Sequence, residues 1–505
     1  MKARDRFYPI LEAVCLLTAL VWCLTAFSNN NPIGPTIGAD NAIFLSMGRG
    51  MADGLTPYVD IVENKGPLFF LLMAIPQMLT EGTAGVYVLE VLLFLGDLLL
   101  LLLCARWLAD GRRHGLLAAA ALFLLVRLCG LGNFCEEYDF FFLLMGCAVM
   151  VHMYTGRRRG AGWRAFALGV ATAGIALIKI SDILGLGVLV LFYFARVVRR
   201  RDGFARELAK YVAGAAAVTL PVAAYLVSVG AFGAMLEEYI LNNFVHVATA
   251  KEADFWEMRL WIIQNGYGWE SLKPILWMAG AVAVRLAIYR KEPDAFKREK
   301  QMMLCMGVMA VANLAVAYVA GTGFYQHLLM GRATALMAGV LALSALLDWL
   351  SGKIAWLRWA EYAAALAVLA AVAVPAVQAL APERLEAVRA AYEQTHAEEC
   401  ELLPELEDVE TVYTIGISPP WYWHTGLQPA FPYYNIVGFI TDNVGEGLEY
   451  RFEAFMEENP PEALLINRDV EAYRGVLTNE TLEYIQNNYE LSVQDSGGRS
   501  LWKLI

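Results

Sequence analysis

Asp40, Asp60, Glu63 and Lys65 lie within 26 residues of one another, just ahead of the apolar run PLFFLLMAIPQML. A carboxylate in such a place can accept a proton from an attacking hydroxyl, and a lysine can pair with a phosphate at headgroup depth. Each also has a plainer use. Asp40 precedes a helical pattern and suits its N-cap, while a lysine beside an apolar run commonly snorkels. Further along, GNFCEEYD gathers Glu136, Glu137 and Asp139, KISD joins Lys179 to Asp182, and the stretch from Tyr325 to Arg332 holds His327 and Arg332. Charges next to apolar runs are costly, so they are paired or functional. Lys179 and Arg332 are read as contacts for a lipid phosphate, with a structural Lys179–Asp182 pair as the alternative. His327 is read as a phosphate ligand or as a partner of Asp40 and Glu137 around a divalent cation, against a polar cap at the mouth of a span. Asp60, Glu136 and Asp139 are candidates for the same metal or for substrate. No residue set is assigned to a cofactor with certainty.

The elements that must position these residues are membrane spans. The 505 residues are 58% hydrophobic and 18% charged, with a mean hydropathy of +0.47. That balance excludes a soluble enzyme and a disordered chain. The eight cysteines show no CxxC or metal-finger spacing, so neither a disulfide framework nor a zinc finger is supported. From Pro382 onward 23 acidic residues face 7 basic ones. An acidic tail on a basic, apolar body reads as a membrane domain followed by a water-exposed one, with no nucleic-acid partner.

Apolar runs of membrane length lie at 8–27 and near 85–105, 115–131, 138–154, 165–179, 183–195, 211–229, 274–289, 302–320, 327–347 and 359–380. The run at 67–79 is bounded by Gly66-Pro67 and contains Pro76. Its reach of about 21 Å falls short of a hydrocarbon core of about 30 Å, so it is expected to dip into the outer leaflet without crossing. The basic clusters at Arg106 to Arg113, Arg157 to Arg159, Arg199 to Arg201, Arg290 to Lys300 and Lys353 to Arg358 then share one side with the N-terminus. By the positive-inside rule that side is the cytoplasm. The expectation is an α-helical polytopic membrane protein of about eleven spans over 1–381, with an extracytoplasmic α/β domain at 382–505.

The outer face receives the loop at 28–66, the short Leu131–Asp139 turn, the long loop at 230–273 and the tail. Asn41–Asp53 has helical periodicity with Ile43, Phe44, Met47 and Met51 on one side, suited to lying in the membrane interface. Phe255, Trp256, Trp261 and Trp269 give the long loop the character of an aromatic anchor or a lid. In the tail, VETVYTIGI and PEALLINRD read as buried strands among helices at Pro382–Leu403, Leu448–Glu458 and Asn479–Tyr489. Trp421, Tyr422 and Trp423 follow the first strand. Their rings are candidates for stacking on an acceptor sugar, with packing onto the rest of the protein as the equal alternative. Neither GxxxxGK[ST] nor GxGxxG occurs.

The spacing of Asp40, the GLTPYVD stretch ending at Asp60 and NKGPL at Asn64–Leu68 resembles the first outer loop of the family-C membrane glycosyltransferases. That superfamily includes the protein O-mannosyltransferases and the lipid A aminoarabinose transferases. GNFCEEYDFFFLL is similar to the family's short acidic turn, and GFYQHLLMGR to an aromatic-histidine element opening a late span. At Gly331-Arg332 the pattern departs from relatives that carry apolar residues and proline. The post-strand loop around Trp421 is similar to one in the superfamily's outer domains. The resemblance implies transfer of a sugar from a polyprenyl-phosphate carrier to a glycan, lipid or protein acceptor at the outer face of a bacterial cytoplasmic membrane. It implies Asp40 as base with Glu137 as its acidic companion, and Lys65, Tyr58, Lys179 and Arg332 as donor-phosphate ligands. A departing phosphate is a weak base and needs no general acid, so a single inverting displacement is expected.

Two rival readings share the membrane architecture. A lipid-linked sugar flippase or transporter fits many spans with a few buried charges, although no internal repeat is visible. An envelope polysaccharide ligase or polymerase would share the outer-face site and use a diphosphate carrier.

Overall fold

The computed structural model describes residues 4–25, 29–109, 114–129, 132–155, 161–243, 260, 264, 268–320, 325–351, 353, 357–441 and 447–505. Phe255, Trp256, Trp261, Phe324 and the arginines at 112, 113 and 157 to 159 lie outside them.

Every apolar run is helical. In chain order the helices are α1 (Arg4–Thr25), α2 (Ala39–Ala52), α3 (Pro67–Leu79), α4 (Ala84–Leu108), α5 (Gly115–Leu128), α6 (Cys135–Tyr154) and α7 (Arg164–Ile178). They continue with α8 (Ile183–Arg200), α9 (Phe204–Ser228), α10 (Lys273–Tyr289), α11 (Pro293–Ala320), α12 (Leu329–Ser351) and α13 (Leu357–Ala379). Among the described residues, seven helical stretches are long and apolar enough to cross a membrane: Tyr8–Thr25, Ala84–Leu108, Ile180–Arg200, Phe204–Ser228, Pro293–Tyr318, Gln326–Ser351 and Ala360–Ala379. The chain is thus a multi-pass membrane protein. Helices α5 and α7 are shorter, with 14 and 15 residues, α10 has 17, and α6 begins with Glu136, Glu137 and Asp139. These four are the additional spans of the eleven-span proposal. Helix α3 has 13 residues, a length of about 20 Å that suits a dip and not a crossing.

The chain divides into two compact units. The first comprises Met1–Ser28, Val88–Pro221 and Glu252–Pro382. Its core is lined by Leu98, Leu122, Phe140, Leu186, Met306 and Leu336. Helices α7 and α9 approach through small residues: a Cβ on Gly169 would stand 2.0 Å from the carbonyl oxygen of Tyr211, and one on Gly214 2.0 Å from that of Phe166. Only glycine permits such backbone contact. Several buried charges in this unit are paired, as Arg285 is with Glu299 at 2.6 Å. His114 likewise stands 3.0 Å from Asp348 and 3.1 Å from Glu361.

The second unit comprises Asn29–Tyr87, Val222–Lys251 and Glu383–Ile505. Helix α2 has buried residues on nearly all sides, from Asn41 to Met51. The sequence suggested a half-exposed interfacial helix. Helix α3 accounts for part of the difference: a Cβ on Gly48 would lie 2.8 Å from the backbone of Met73, and Gln77 donates to the Leu45 carbonyl at 3.0 Å.

The tail forms α14 (Pro382–Glu399), α15 (Pro420–Thr425), α16 (Ile436–Thr441), α17 (Leu448–Glu458) and α18 (Asn479–Asn488) around a sheet. Strands β1 (Val412–Ile415) and β2 (Ala463–Asn467) are the two expected ones, and they pair in parallel. Two more were not expected, β3 (Tyr489–Gln494) and β4 (Arg499–Leu504). They form an antiparallel hairpin that completes the order β1-β2-β4-β3. The first outer loop joins this body at one isolated bridge between Val62 and Tyr433, with Val62 N–H donating to the Pro432 carbonyl at 2.7 Å.

Candidate active site

The candidate residues fall into two groups, one in each unit. In the second unit α2 carries Asp40 in its first turn, but Gly38 and not Asp40 is the N-cap. The capping role expected for Asp40 is therefore corrected. As an exposed acid in the first turn it complements the positive end of the helix. After α2 the chain turns at Tyr58, which takes a left-handed φ of 66°. Its N–H donates to the Ile61 carbonyl at 2.7 Å, and its hydroxyl donates to the Lys65 carbonyl at 2.7 Å. The ring is 3% exposed and lies edge-on to Phe70, 5.8 Å between centroids. Burial raises the phenol well above its ordinary range.

Tyr58 therefore shapes the loop that presents Lys65. Asp60 has a similar office, since its carboxylate accepts from the Thr56 N–H at 2.7 Å. That bond closes a turn at the exposed tip of the loop.

Lys65 Nζ stands 3.2 Å from Glu63 Oε1, donates to the Asn64 side chain and lies 6.0 Å from the centroid of Phe44. Glu63 is 5% exposed. Burial raises its carboxyl above the usual range, opposed by Lys65 and assisted by the negative charge of Asp40. Asp40, Glu63 and Lys65 are thus one electrostatic group. Asn243 fixes its backbone by donating to the Asn64 carbonyl at 3.0 Å.

The three aromatic residues after β1 are packed away. Trp421, Tyr422 and Trp423 are 1%, 0% and 7% exposed. Arg49, the one charge between Asn41 and Met51, donates to the carbonyls of Tyr422 at 2.7 Å and Trp423 at 3.2 Å. Its guanidinium also lies over the Trp423 ring, 4.7 Å from the centroid. Through Arg49 this segment is tied to α2. Arg49 was missed from the sequence, although a lone cation within the apolar run from Asn41 to Met51 was the signal that could have found it.

In the first unit Glu136 is the hub. Lys179 Nζ stands 2.5 Å from its Oε1 and His327 Nε2 3.5 Å from the same atom, while Cys135 Sγ donates to Oε2 at 3.2 Å. Lys179 also interacts electrostatically with Asp182, as KISD suggested, so the two carboxylates share it. Glu137 accepts from the N–H groups of Gly132 at 2.7 Å and Asn133 at 3.0 Å. Both its oxygens thus help close the turn that starts α6. Asp139 is fully buried and lies against Asp182. Arg332, in the first turns of α12, interacts electrostatically with Glu270. Among the described residues no group of three or more histidine, cysteine, aspartate or glutamate side chains is arranged to hold a metal ion.

No family sequence model matches the chain. No curated protein sequence matches it either. Solved structures do. ArnT from Cupriavidus metallidurans bound to undecaprenyl phosphate aligns with a TM-score of 0.54 at 14% identity, over 99% of this chain and 98% of that one. Its apo form gives 0.55 at 14% identity over the same shares. The archaeal oligosaccharyltransferase AglB from Archaeoglobus fulgidus, in complex with an inhibitory peptide and a dolichol-phosphate, gives 0.54 at 12% identity, over 100% of this chain and 75% of that one. At these identities the likeness is one of fold. The chain has the architecture of these polytopic membrane proteins along almost its whole length.

Proposed function

We propose that this protein transfers a sugar from a polyprenyl-phosphate donor to an acceptor at the outer face of the cytoplasmic membrane, inverting the anomeric centre. The observation that carries the reading is the grouping of Asp40, Glu63 and Lys65. It stands at the head of a helix too short to cross, in a chain folded like structures that bind undecaprenyl phosphate and dolichol-phosphate.

Asp40 acts as the base. It is exposed, interacts electrostatically with the buried Glu63 carboxyl, and accepts the proton of the acceptor hydroxyl as that oxygen attacks. Lys65 neutralises charge growing on the departing phosphate. Glu63 is a positioning residue that keeps the ammonium in place through their 3.2 Å contact. In the other unit Lys179, held by Glu136, and Arg332 are the cations proposed to meet a lipid phosphate. Under this reading the N-terminus is cytoplasmic and the tail extracytoplasmic, as the basic loops require.

The test is transfer from a panel of radiolabelled polyprenyl-phosphate sugars in proteoliposomes. Asp40→Asn keeps the side-chain volume and, because Gly38 is the cap, leaves the helix start untouched. It is expected to lower transfer by about 10²–10⁴-fold at normal expression. Lys65→Ala is expected to lower it by about 10²–10³-fold, the scale of losing one stabiliser of developing charge. If the wild type transfers nothing but moves labelled lipid between leaflets, the protein is a flippase. Retained anomeric configuration in the product would overturn the single displacement.

A further inference from the structure

The tail domain contains a half-open cavity of about 470 Å³, lined by Glu398, Glu399, Glu401, Ile417, Asn467, Ser496, Gly497 and Arg499. Nothing in the proposed chemistry uses it. Its position in the fold is informative. Ile417 lies two residues beyond the end of β1, Asn467 is the last residue of the parallel neighbour β2, and Arg499 is the register partner of Asn467 on antiparallel β4. The cavity thus sits outside the carboxyl ends of the parallel strands, where the sheet changes from parallel to antiparallel pairing. Ligands of open α/β sheets bind outside the carboxyl ends of the parallel strands. Its volume is within the roughly 300–1,000 Å³ of small-molecule pockets.

The walls are fixed before any ligand arrives. Glu401 accepts from the Ser496 N–H at 3.1 Å and from its hydroxyl at 2.6 Å, which ties the hairpin turn to the end of α14. Arg499 donates to Glu399, to Asp495 and to the Glu398 carbonyl. Asn467 donates to the Gly416 carbonyl at 3.2 Å, and Glu398 accepts from Gln394 at 2.8 Å. A carboxylate offers about four acceptor sites, so these bonds leave most of the capacity of Glu398, Glu399 and Glu401 for a ligand.

Charge selects the ligand class. Three carboxylates face one guanidinium, and α14 ends there with the negative pole of its dipole. Phosphates, nucleotides and uronic acids are repelled. A dense set of acceptors with an amide and a hydroxyl suits a polyol. The geometry points to a binding site for a saccharide unit without acidic groups, held through its hydroxyls at the carboxyl edge of the tail sheet. That such a unit belongs to the acceptor, making the cavity an acceptor subsite, rests on the glycosyl-transfer reading.

The experiment is saturation-transfer NMR on the full chain in phospholipid nanodiscs, with lactose, glucosamine and galacturonate as probes. Lactose and glucosamine are expected to saturate in the millimolar range and galacturonate to bind at least about tenfold more weakly, the factor that about 1.4 kcal/mol of repulsion produces. Gly497→Phe should abolish the signal. A Cβ at that glycine meets only the Asp495 carboxyl group, at 3.4 to 4.0 Å, so the ring can fill the cavity from an exposed turn. Glu398→Gln, should the first variant fail to fold, removes one charge and is expected to narrow the gap between lactose and galacturonate. Absence of signal from all three probes overturns the site, as does galacturonate binding as well as lactose, or a lactose signal unchanged in both variants. The transfer assay is read separately. Sugar transfer without probe binding removes the cavity and leaves the proposed function standing, and probe binding without transfer does the reverse.

Discussion

Arg49 and Trp423 lie 374 residues apart in sequence, yet the guanidinium of one covers the indole of the other at 4.7 Å. The same guanidinium donates to the Trp423 carbonyl at 3.2 Å and to that of Tyr422 at 2.7 Å. The helix that carries Asp40 is thereby fixed to the aromatic segment following β1. A planar fork can serve two carbonyls and a ring face together, whereas an ammonium cannot. Arg49→Lys is therefore expected to lose most of what Arg49→Met loses, roughly 1–3 kcal/mol for charge-assisted bonds to buried carbonyls. Hydrogen exchange of the α2 and α15 amides is the measurement. Equal protection in the lysine variant and the wild type would show that charge alone holds the two together.

His424 sits on the same short helix, with its Nδ1 3.1 Å from that of His396. Burial, then the neighbouring His396, lowers its imidazole from 6.5 to about 4. Tyr392 of α14 and Cys400, just beyond its end, also lie against it. The unfolded chain takes up this proton below about 6.5 and the folded one only near 4, so stability conferred by the neutral ring is present above 6.5 and is lost as pH falls toward 4. The loss is roughly 1–3 kcal/mol, at about 1.4 kcal/mol per unit. Thermal melts of the full chain from pH 7 to pH 4 should show this slope, and His424→Gln should flatten it. An unchanged slope in the variant would assign the pH dependence to other groups.

What the sequence disclosed and what it concealed follow from the range of the forces involved. The long spans were legible because twenty apolar residues need no partner to declare themselves, and α3 was legible as a short helix because Gly66-Pro67 and length bound it. Asp40, Glu63 and Lys65 were legible as a group because a single loop contains them. The burial of α2 was not, since it depends on Arg49 meeting a segment near the other end of the chain. Likewise KISD offered Asp182 to Lys179 because the two are neighbours, while the fold supplied Glu136 from 43 residues away. Strands β3 and β4 escaped because YELSVQ and RSLWKL are short and largely polar, although the DSGG turn between them is a hairpin signal.

The Lys179–Glu136 pair is buried, with side chains 14% and 3% exposed. Removing one partner from such a pair leaves an uncompensated charge and costs about 3–5 kcal/mol, whereas replacing both with apolar or neutral groups can be nearly neutral. His327 softens one side of this comparison, since it remains 3.5 Å from Glu136 when the lysine is gone. Asp182 in turn remains beside Lys179 when the glutamate is neutralised, so Glu136→Gln and Lys179→Met are expected to be comparably damaging. The double variant should regain stability relative to Glu136→Gln alone. A double-mutant cycle by thermal melting in nanodiscs measures the coupling. Additive effects would mean that the two charges are stabilised independently.

Tyr58 and Glu137 discriminate between residues that shape the candidate site and residues that would enter its chemistry. The Tyr58 hydroxyl donates to the Lys65 carbonyl at 2.7 Å, and Glu137 closes a turn through two backbone amides. Tyr58→Phe removes one hydrogen bond and is expected to cost about 1 kcal/mol of stability. Transfer should fall by only a few-fold, through slight displacement of Lys65. Glu137→Gln retains one strong acceptor for the turn and should likewise keep most of the transfer rate. A ligand of the leaving phosphate or a general base would behave differently, losing about 10²-fold or more. Single-turnover transfer at saturating donor, compared with melting temperatures for the same preparations, separates the two cases. A loss of that size in either variant without loss of stability would return the residue to the catalytic group.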